Sequence, residues 1–252
     1  MKKFISILLA GAMAAAALTG CAKTPGGAAS GSTPLVLNEV AHSIFYAPQY
    51  AAIELGYFEE EGIDLTLVNG AGADKVMTAL ISGDAQIGFM GSEASIYVYQ
   101  EGSQDYAVNF AQLTQRAGNF LVGRQPEDNF KWENLKGKKV LGGRAGGMPQ
   151  MVFEYILKKH GLDPKTDLTI DQSINFGLTA AAFTSNDADY TVEFEPFATT
   201  LESEGSGTVV ASLGTESGYV PYTAYCARKS YMENNPELIQ KFTNAIQMGL
   251  NK

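Results

Sequence analysis

The sequence predicts an α/β fold of two lobes, in which strands alternate with helices. Short apolar runs alternate with amphipathic stretches from Pro34 to the end of the chain, an order typical of parallel strand–helix–strand units. The alternation falls into two series, one ending near Thr114 and the other beginning near Lys138. A chain of 252 residues, 45% of them hydrophobic, is long enough for two lobes of about 100 residues each.

The first series begins with a buried strand, which a helix follows. Pro48 suits a first helical position and Gly56 a position just past a helix end, so the two bracket a helix. Ile63, Leu65 and Leu67 alternate with polar residues, which predicts a half-buried strand. The predicted strands of this series are 35–37, 63–68, 85–90 and 106–114, and its predicted helices are 48–55, 74–81 and 93–100.

The second series shows the same alternation. Two segments with few helix signals, 115–124 and 222–227, are expected to connect the lobes. Because open α/β sheets bind ligands at the carboxyl ends of their strands, we expect a ligand in the cleft between the lobes. We assign residues 34–122 with 224–252 to lobe 1 and residues 123–223 to lobe 2. The predicted strands are 138–141, 168–170, 190–194, 209–212 and 222–227, and the predicted helices are 149–159, 176–183, 197–202 and 236–249.

The beginning of the chain predicts export and attachment to a membrane. Two lysines precede an uncharged stretch at 4–18 that is too short to span a bilayer, a pattern typical of a signal peptide covering 1–20. The four residues Leu-Thr-Gly-Cys that end at Cys21 resemble the lipobox of bacterial lipoproteins, which implies a lipid on Cys21. Residues 21–33 are expected to form a flexible tether. The expected location is therefore the extracytoplasmic face of the cell membrane, with lipid as the anchor.

Composition excludes several classes of function. A net charge of −9 and a pI of about 4.8 leave no basic surface for nucleic-acid phosphates. Two cysteines and two histidines rule out a disulfide framework and a Cys/His zinc site, and no other spacing typical of a metal site occurs. We therefore expect no metal, no cofactor and no nucleic-acid partner.

Two runs carry a resemblance to a known family. They are A-x-E-x-G-Y-F-x-x-E-G-I-D at 52–64 and L-x-S-G-D-A-Q-I-G at 80–88, and the segments 42–50, 135–140 and 195–198 support them. In these segments the chain resembles the type II solute-binding proteins of ABC importers, in the branch for sulfonates, nitrate, taurine and thiamine-pyrimidine precursors.

The resemblance implies a two-lobed, periplasmic-binding-protein-like type II fold with a ligand cleft and a hinge. It also implies a monomer that delivers a small solute to an ABC permease and its ATPase. Members of the family usually continue past the position where Lys252 stands, so we expect the C-terminal helices to be shortened here.

Candidate ligand-binding residues of lobe 1 follow predicted strands. Polar atoms and flat rings after the first strand suit a heterocyclic ligand. A serine and a glutamate follow the strand 85–90, and Ser92 is also a good helix cap. The candidates of lobe 1 are Asn38, His42, Phe45, Tyr46, Ser92, Glu93 and Thr114.

Candidates of lobe 2 fall into two groups. The glycine-rich run at 142–149 offers backbone N–H groups at a helix N-terminus, with Arg144 nearby, and so suits an anionic ligand group. Glu193 and Glu195 are two residues apart, so both carboxylates are expected on one face, toward the cleft. The family resemblance implies a Glu-Pro pair here, whose carboxylate would accept from an exocyclic amine or a protonated ring nitrogen. The candidates of lobe 2 are Gly143, Arg144, Gly146, Gly147, Tyr190, Glu193 and Glu195.

Two ligand classes and a second class of function stay open. An aminopyrimidine suits the aromatic rings and the acidic strand ends, whereas a sulfonate, taurine or nitrate would use Arg144 and the glycine-rich run. Fungal thiamine-pyrimidine synthases are enzymes that share the fold, and their resemblance implies an iron centre and a Cys-rich motif. Because Cys21 and Cys226 are the two cysteines of this chain, that motif is missing, and we expect a binding protein rather than an enzyme.

Overall fold

The computed structural model of the chain describes residues 31–174 and 177–252. The predicted signal peptide, most of the tether and Cys21 lie outside these residues, as does the predicted start of a helix at Phe176. Residues Ser32–Lys252 belong to one unit, in which the described strands form two five-stranded sheets. Within the described ranges, no helix combines the length and the apolar character that crossing a membrane requires.

The first sheet contains both ends of the unit. Its strands are β1 (Thr33–Glu39), β2 (Ile63–Asn69), β3 (Ile87–Gly91), β4 (Ala107–Thr114) and β10 (Thr223–Arg228). The helices along this part of the chain are α1 (Ala47–Glu54), α2 (Tyr57–Glu60), α3 (Ala73–Ser82), α4 (Glu93–Gln100), α9 (Lys229–Asn234) and α10 (Pro236–Leu250). The strand order is β2-β1-β3-β10-β4, with β1 parallel to β2 and β3, and β10 antiparallel to β3 and β4.

The second sheet is built from the middle of the chain. Its strands are β5 (Asn119–Gly123), β6 (Lys139–Leu141), β7 (Thr169–Asp171), β8 (Tyr190–Phe194) and β9 (Thr208–Ser212). Its helices are α5 (Met148–Lys159), α6 (Thr179–Ser185), α7 (Phe197–Ser203) and α8 (Leu213–Ser217). The order is β7-β6-β8-β5-β9, with β6 parallel to β7 and β8, and β5 antiparallel to β8 and β9.

Each sheet has its own apolar core, and one aromatic ring touches both. The first core contains Leu37, Phe89 and Phe242, and the second contains Leu121 and Phe153, all fully buried. Phe45 is partly buried and packs against both cores. Its position makes the segment after β1 one of the places where the two sheets meet.

The hydrophobic pattern predicted the other strands and the longer helices of both series, with ends that shift by a few residues, but it missed the strand β5 and the short helices α2, α8 and α9. β5 lies in the segment 115–124, which we expected to be only a connection. The sheets are also mixed rather than all parallel, because β5 and β10 each enter a sheet without a helical crossover and can pair in the antiparallel direction. The division into two lobes with boundaries near residues 122 and 224 stays a prediction, and the second sheet includes β5.

Candidate functional site

The residues after β1 surround a buried carboxylate that the sequence pattern did not single out. Glu39 is fully buried, and Gln49 Nε2 and the Tyr50 hydroxyl donate hydrogen bonds to its Oε2 at 2.8 and 2.9 Å. His42 Nδ1 lies 2.9 Å from Glu39 Oε1, while the His42 side chain is 67% exposed. The imidazole thus contacts Glu39 from the solvent side, and a ligand contact by His42 stays a prediction. The sequence feature that could have identified Glu39 is its position at the end of an apolar strand.

The two aromatic candidates after β1 have different surroundings. The ring of Phe45 lies 5.8 Å, between centroids, from both Phe194 and Tyr222. A side chain at Gly118 would meet it, since a Cβ there would lie 2.4 Å from the Phe45 ring. We call Phe45, Phe194 and Tyr222 the ring cluster. Tyr46 instead packs edge-on against the core residue Phe89, and burial raises the pKa of Tyr46 to about 12.

Glu93 links the two sheets. It is the first residue of α4 and is 3% exposed, and its Oε1 accepts a hydrogen bond of 2.9 Å from Met148 N, the first residue of α5. The carboxylate folds back over Gly91, where a Cβ would lie 2.1 Å from Glu93 Oε2. Burial raises the pKa of Glu93, against the opposing effects of its own backbone N–H, the Met148 amide and the Arg144 charge. A side chain from the first sheet therefore satisfies the N-terminus of a helix of the second.

Ser92 stands at the N-cap position of α4 but does not cap it. Its backbone is helical, with φ −62° and ψ −20°, and its side chain makes no capping hydrogen bond. The hydroxyl instead donates to Pro221 O at 2.7 Å, a residue 129 positions later in the chain. The predicted capping role is therefore wrong, because a tertiary partner takes the hydroxyl. A ligand contact by Ser92 stays a prediction.

The glycine-rich run forms a loop that contacts helices of the first sheet. Gly143 and Gly146 have φ of 79° and 77°, in the left-handed region that favours glycine. Arg144 pairs with Asp74 of α3, and this guanidinium lowers the pKa of the Asp74 carboxyl. The Tyr97 hydroxyl of α4 donates to Gly146 O at 3.3 Å. We call residues 142–147 the glycine loop; it leads through Gly147 into α5.

Of the two acidic candidates, Glu193 lies within β8 and Glu195 just past its end. The strand ends at Phe194, so the expected alternation stops before Glu195. Glu193 is 1% exposed and accepts from the hydroxyls of Thr191 and Thr179 at 2.6 and 2.9 Å. Glu195 accepts from the backbone N and the hydroxyl of Thr199, at the beginning of α7. The strand does not extend to Glu195, which was the condition for a shared face, and the role of each carboxylate toward a ligand stays a prediction.

Tyr190 and Thr114 are engaged within the protein. Tyr190 is buried in the core of the second sheet, and its hydroxyl donates to Glu127. Burial and this hydrogen bond raise the pKa of Tyr190. Thr114 Oγ1 accepts a hydrogen bond of 2.9 Å from Thr223 N, which joins β4 to β10. Thr114 O also accepts a hydrogen bond of 3.2 Å from the backbone N of Tyr222, a member of the ring cluster. Ligand contacts by Tyr190 and Thr114 stay predictions.

Four buried residues have polar atoms without a hydrogen-bond partner among the described residues. They are Asn38 Oδ1, Glu93 Oε2, both side-chain amide atoms of Asn119, and the Tyr222 hydroxyl. Such groups are rare, because leaving a buried donor or acceptor unpaired costs about 1–3 kcal/mol. A bound molecule that pairs them would remove that cost, so these atoms mark a candidate ligand site.

Three of these residues are associated with the ring cluster. Tyr222 belongs to it. Burial, then Tyr46, then the charge of Glu93 raise the pKa of Tyr222, so Glu93 and Tyr222 lie within electrostatic reach of each other. Asn119 pairs in register with Phe194 and directly follows Gly118, on which Phe45 packs. The sequence pattern missed Asn119 and Tyr222. Both lie in the segments 115–124 and 222–227, which were expected to connect the lobes, and this position is the sequence feature that could have identified them.

The sequence of the chain is similar to that of a known family and of a curated relative. The sequence model of the family described as "NMT1/THI5 like" matches residues 44–252. "Putative binding protein YtlA" of Bacillus subtilis (strain 168) is 50% identical over 214 residues, which cover 85% of this chain. The chain spans 64% of the length of that curated relative.

Solved structures with the same fold include two periplasmic binding proteins. The periplasmic aliphatic sulphonate binding protein SsuA from Escherichia coli has a TM-score of 0.70 and 18% identity, over 86% of this chain and 72% of that one. The periplasmic nitrate-binding protein NrtA from Synechocystis PCC 6803 has a TM-score of 0.69 and 17% identity, over 86% of this chain and 61% of that one. At these identities the likeness shows the fold, which is that of periplasmic binding proteins.

Proposed function

The chain belongs to the NMT1/THI5-like family, and we propose that it is the solute-binding component of an ABC importer. The relative from B. subtilis is named as a binding protein, and the fold is shared with proteins named for sulfonate and nitrate binding. The two sheets, the ring cluster at their junction and the unpaired buried atoms around it support capture of a small solute. The solute would draw the two halves together and be passed to a permease and its ATPase.

The solute class we propose is an amino-substituted heterocycle, such as a thiamine-pyrimidine precursor. One observation carries this choice: the buried Glu93 has an oxygen, Oε2, with no donor among the described residues. A carboxylate can accept but not donate, so its natural partner is an amine or a protonated ring nitrogen. Asn119 adds a donor and an acceptor side by side, and Phe45 offers a flat apolar face.

A sulfonate, taurine or nitrate is the second candidate solute. The glycine loop with Arg144 favours an anion, and so do the names of the two proteins with this fold. Against it, Arg144 already pairs with Asp74, and the buried Glu93 would repel an anion. Synthesis of a thiamine pyrimidine is the third candidate, and the missing Cys-rich motif argues against such an enzyme.

The place of action follows from the same proposal. A solute-binding protein works outside the cytoplasm, and the beginning of the chain carries the pattern of a signal peptide with a lipobox. We propose that a lipid on Cys21 holds a monomer at the outer face of the cell membrane. The tether up to residue 33 would leave it free to meet both solute and permease.

Calorimetric titration of the mature protein with 4-amino-5-hydroxymethyl-2-methylpyrimidine tests the proposed solute. We expect binding by the unaltered protein and a loss of at least about tenfold in affinity for Glu93→Gln, because a hydrogen bond to a charged group contributes about 1.5–3 kcal/mol. Asp64→Asn, which changes an exposed carboxylate on β2, is the matched control and should bind normally. A protein that binds methanesulfonate but not the pyrimidine would overturn the choice of solute.

Glu195→Gln examines the residue that the family resemblance indicates. If Glu195 contacts the pyrimidine, this variant should lose affinity while Thr199→Ala, which removes the hydroxyl bonded to Glu195, should not. Equal affinities for Glu195→Gln and the unaltered protein would show that Glu195 does not contact the pyrimidine and bonds only to Thr199 of α7.

A further inference from the structure

We propose that Glu93 is an internal anion that fills the anion-binding position at the N-terminus of α5 and thereby excludes anionic solutes. The inference rests on the proposed function, because it concerns which solutes the same site accepts. In this proposal the Glu93 side chain decides which of two classes of solute the site binds.

The N-terminus of α5 has the features of an anion-binding position. It is a helix of 12 residues that follows the glycine loop, and the partial positive charge of its free N–H groups attracts anions. Pro149, its second residue, has no N–H group, so the first turn offers fewer donors, and Met148 N is one of them. The guanidinium of Arg144 lies close enough to act on the charge at this position.

Glu93 occupies this position. One carboxylate oxygen accepts from Met148 N at 2.9 Å, and the residue is only 3% exposed. The fit depends on Gly91, where any side chain would displace the carboxylate. The second oxygen lies over Gly91 and has no hydrogen-bond partner among the described residues, while the charge and the volume of the carboxylate keep an anion away from Met148 N.

The positive charge of Arg144 is shared between two carboxylates. Arg144 is held by Asp74 of α3, so two carboxylates face one guanidinium across the glycine loop. Removing the Glu93 carboxylate would free Met148 N and leave Arg144 with one acidic partner. The position would then carry a net attraction for an anion.

The experiment is a titration with sodium methanesulfonate and, separately, with sodium sulfate. Glu93→Ala should gain affinity for methanesulfonate by at least tenfold over the unaltered protein, and Glu93→Ala with Arg144→Gln should lose most of that gain. Asp64→Ala, the exposed control on β2, should show no gain. Circular dichroism and the unfolding midpoint establish that each variant is folded.

Glu93→Gln keeps the shape of the side chain and carries the test if Glu93→Ala does not fold. A gain in the same direction is expected from the loss of charge, smaller because the volume stays. Folded variants that bind methanesulfonate no better than the unaltered protein would overturn the proposal, and so would a gain that survives Arg144→Gln undiminished.

The result can be separated from the test of the proposed function. If the unaltered protein binds no aminopyrimidine but Glu93→Ala gains methanesulfonate, the anion-exclusion inference stands and the proposed solute fails. If the pyrimidine binds and Glu93→Ala gains nothing, the proposed solute stands and the inference fails.

Discussion

Glu193 is a carboxylate whose burial has a consequence for stability. Its neighbours Thr191 and Thr179 donate hydrogen bonds to it, yet burial raises its pKa from 4.5 to about 7. Between these two values the folded protein holds a proton that the unfolded chain has lost. The free energy of unfolding contributed by this residue therefore falls as the pH rises from about 4.5 to about 7, and it stays low above that range.

Glu193→Gln should remove this dependence on pH. The amide is neutral at every pH, and its oxygen can accept from one threonine hydroxyl while its NH2 group donates to the other. The variant should therefore match the unaltered protein near pH 4 and exceed its stability at pH 8 by up to about 3 kcal/mol. Urea unfolding at the two pH values measures the difference. Glu204→Gln, an exposed carboxylate at the end of α7, serves as the control with no expected change. The raised pKa of Glu193 would be contradicted if the stability difference between Glu193→Gln and the unaltered protein were the same at pH 8 as at pH 4.

At the scale of single residues the sequence located side chains better than it located their partners. Glu93 was a candidate because it follows an apolar strand, but its partner Met148 is 55 positions away and depends on how the two sheets meet. Ser92 was assigned a local role and has a distant one. Asn119 and Tyr222 were missed, because burial of a polar atom without a partner cannot be recognised from the residue type.

Among the elements, α10 shows how closely two helices approach each other. Gly249 lies near its end, where a Cβ would sit 2.2 Å from Pro48 O and 2.9 Å from Ala52 Cβ of α1. The backbone oxygen cannot move aside as a flexible side chain would. The glycine is therefore required by the packing of α10 on α1 rather than by a turn.

Gly249→Ala should destabilise the protein by about 1–2 kcal/mol. Overpacking of a close contact costs about 1–3 kcal/mol, and the better helix propensity of alanine offsets up to about 1 kcal/mol of that cost. Gln247→Ala is an exposed change on the same helix and should have almost no effect. The midpoint of urea unfolding reports both; an unchanged midpoint for Gly249→Ala would mean that the two helices can separate without loss.

The elements themselves were predictable where the pattern had a clear period. α10 follows from its amphipathic spacing after Pro236, and β2 from its strict alternation. β5 escaped because its five residues are mostly apolar and its neighbours in the sheet, β8 and β9, come much later in the chain. Strand direction also depends on such distant neighbours, so the mixed sheets could not be deduced from local sequence.

At the scale of the whole molecule, the candidate residues of both sheets lie around one junction. The chain passes between the sheets after β4 and again before β10, and the residues beside these passages, Asn119 and Tyr222, join Glu93 and Phe45 around the same region. This arrangement explains how a solute touching a few side chains would contact both sheets at once. The family and the two-series pattern were accessible from the sequence, whereas the residues that meet at the junction required the structure.

A crystal structure of the protein with 4-amino-5-hydroxymethyl-2-methylpyrimidine is the most direct measurement. We expect the pyrimidine ring beside Phe45, with a nitrogen donor within about 2.7–3.2 Å of Glu93 Oε2. A pyrimidine seated away from the junction of the sheets, with Glu93 Oε2 still unpaired, would contradict the account.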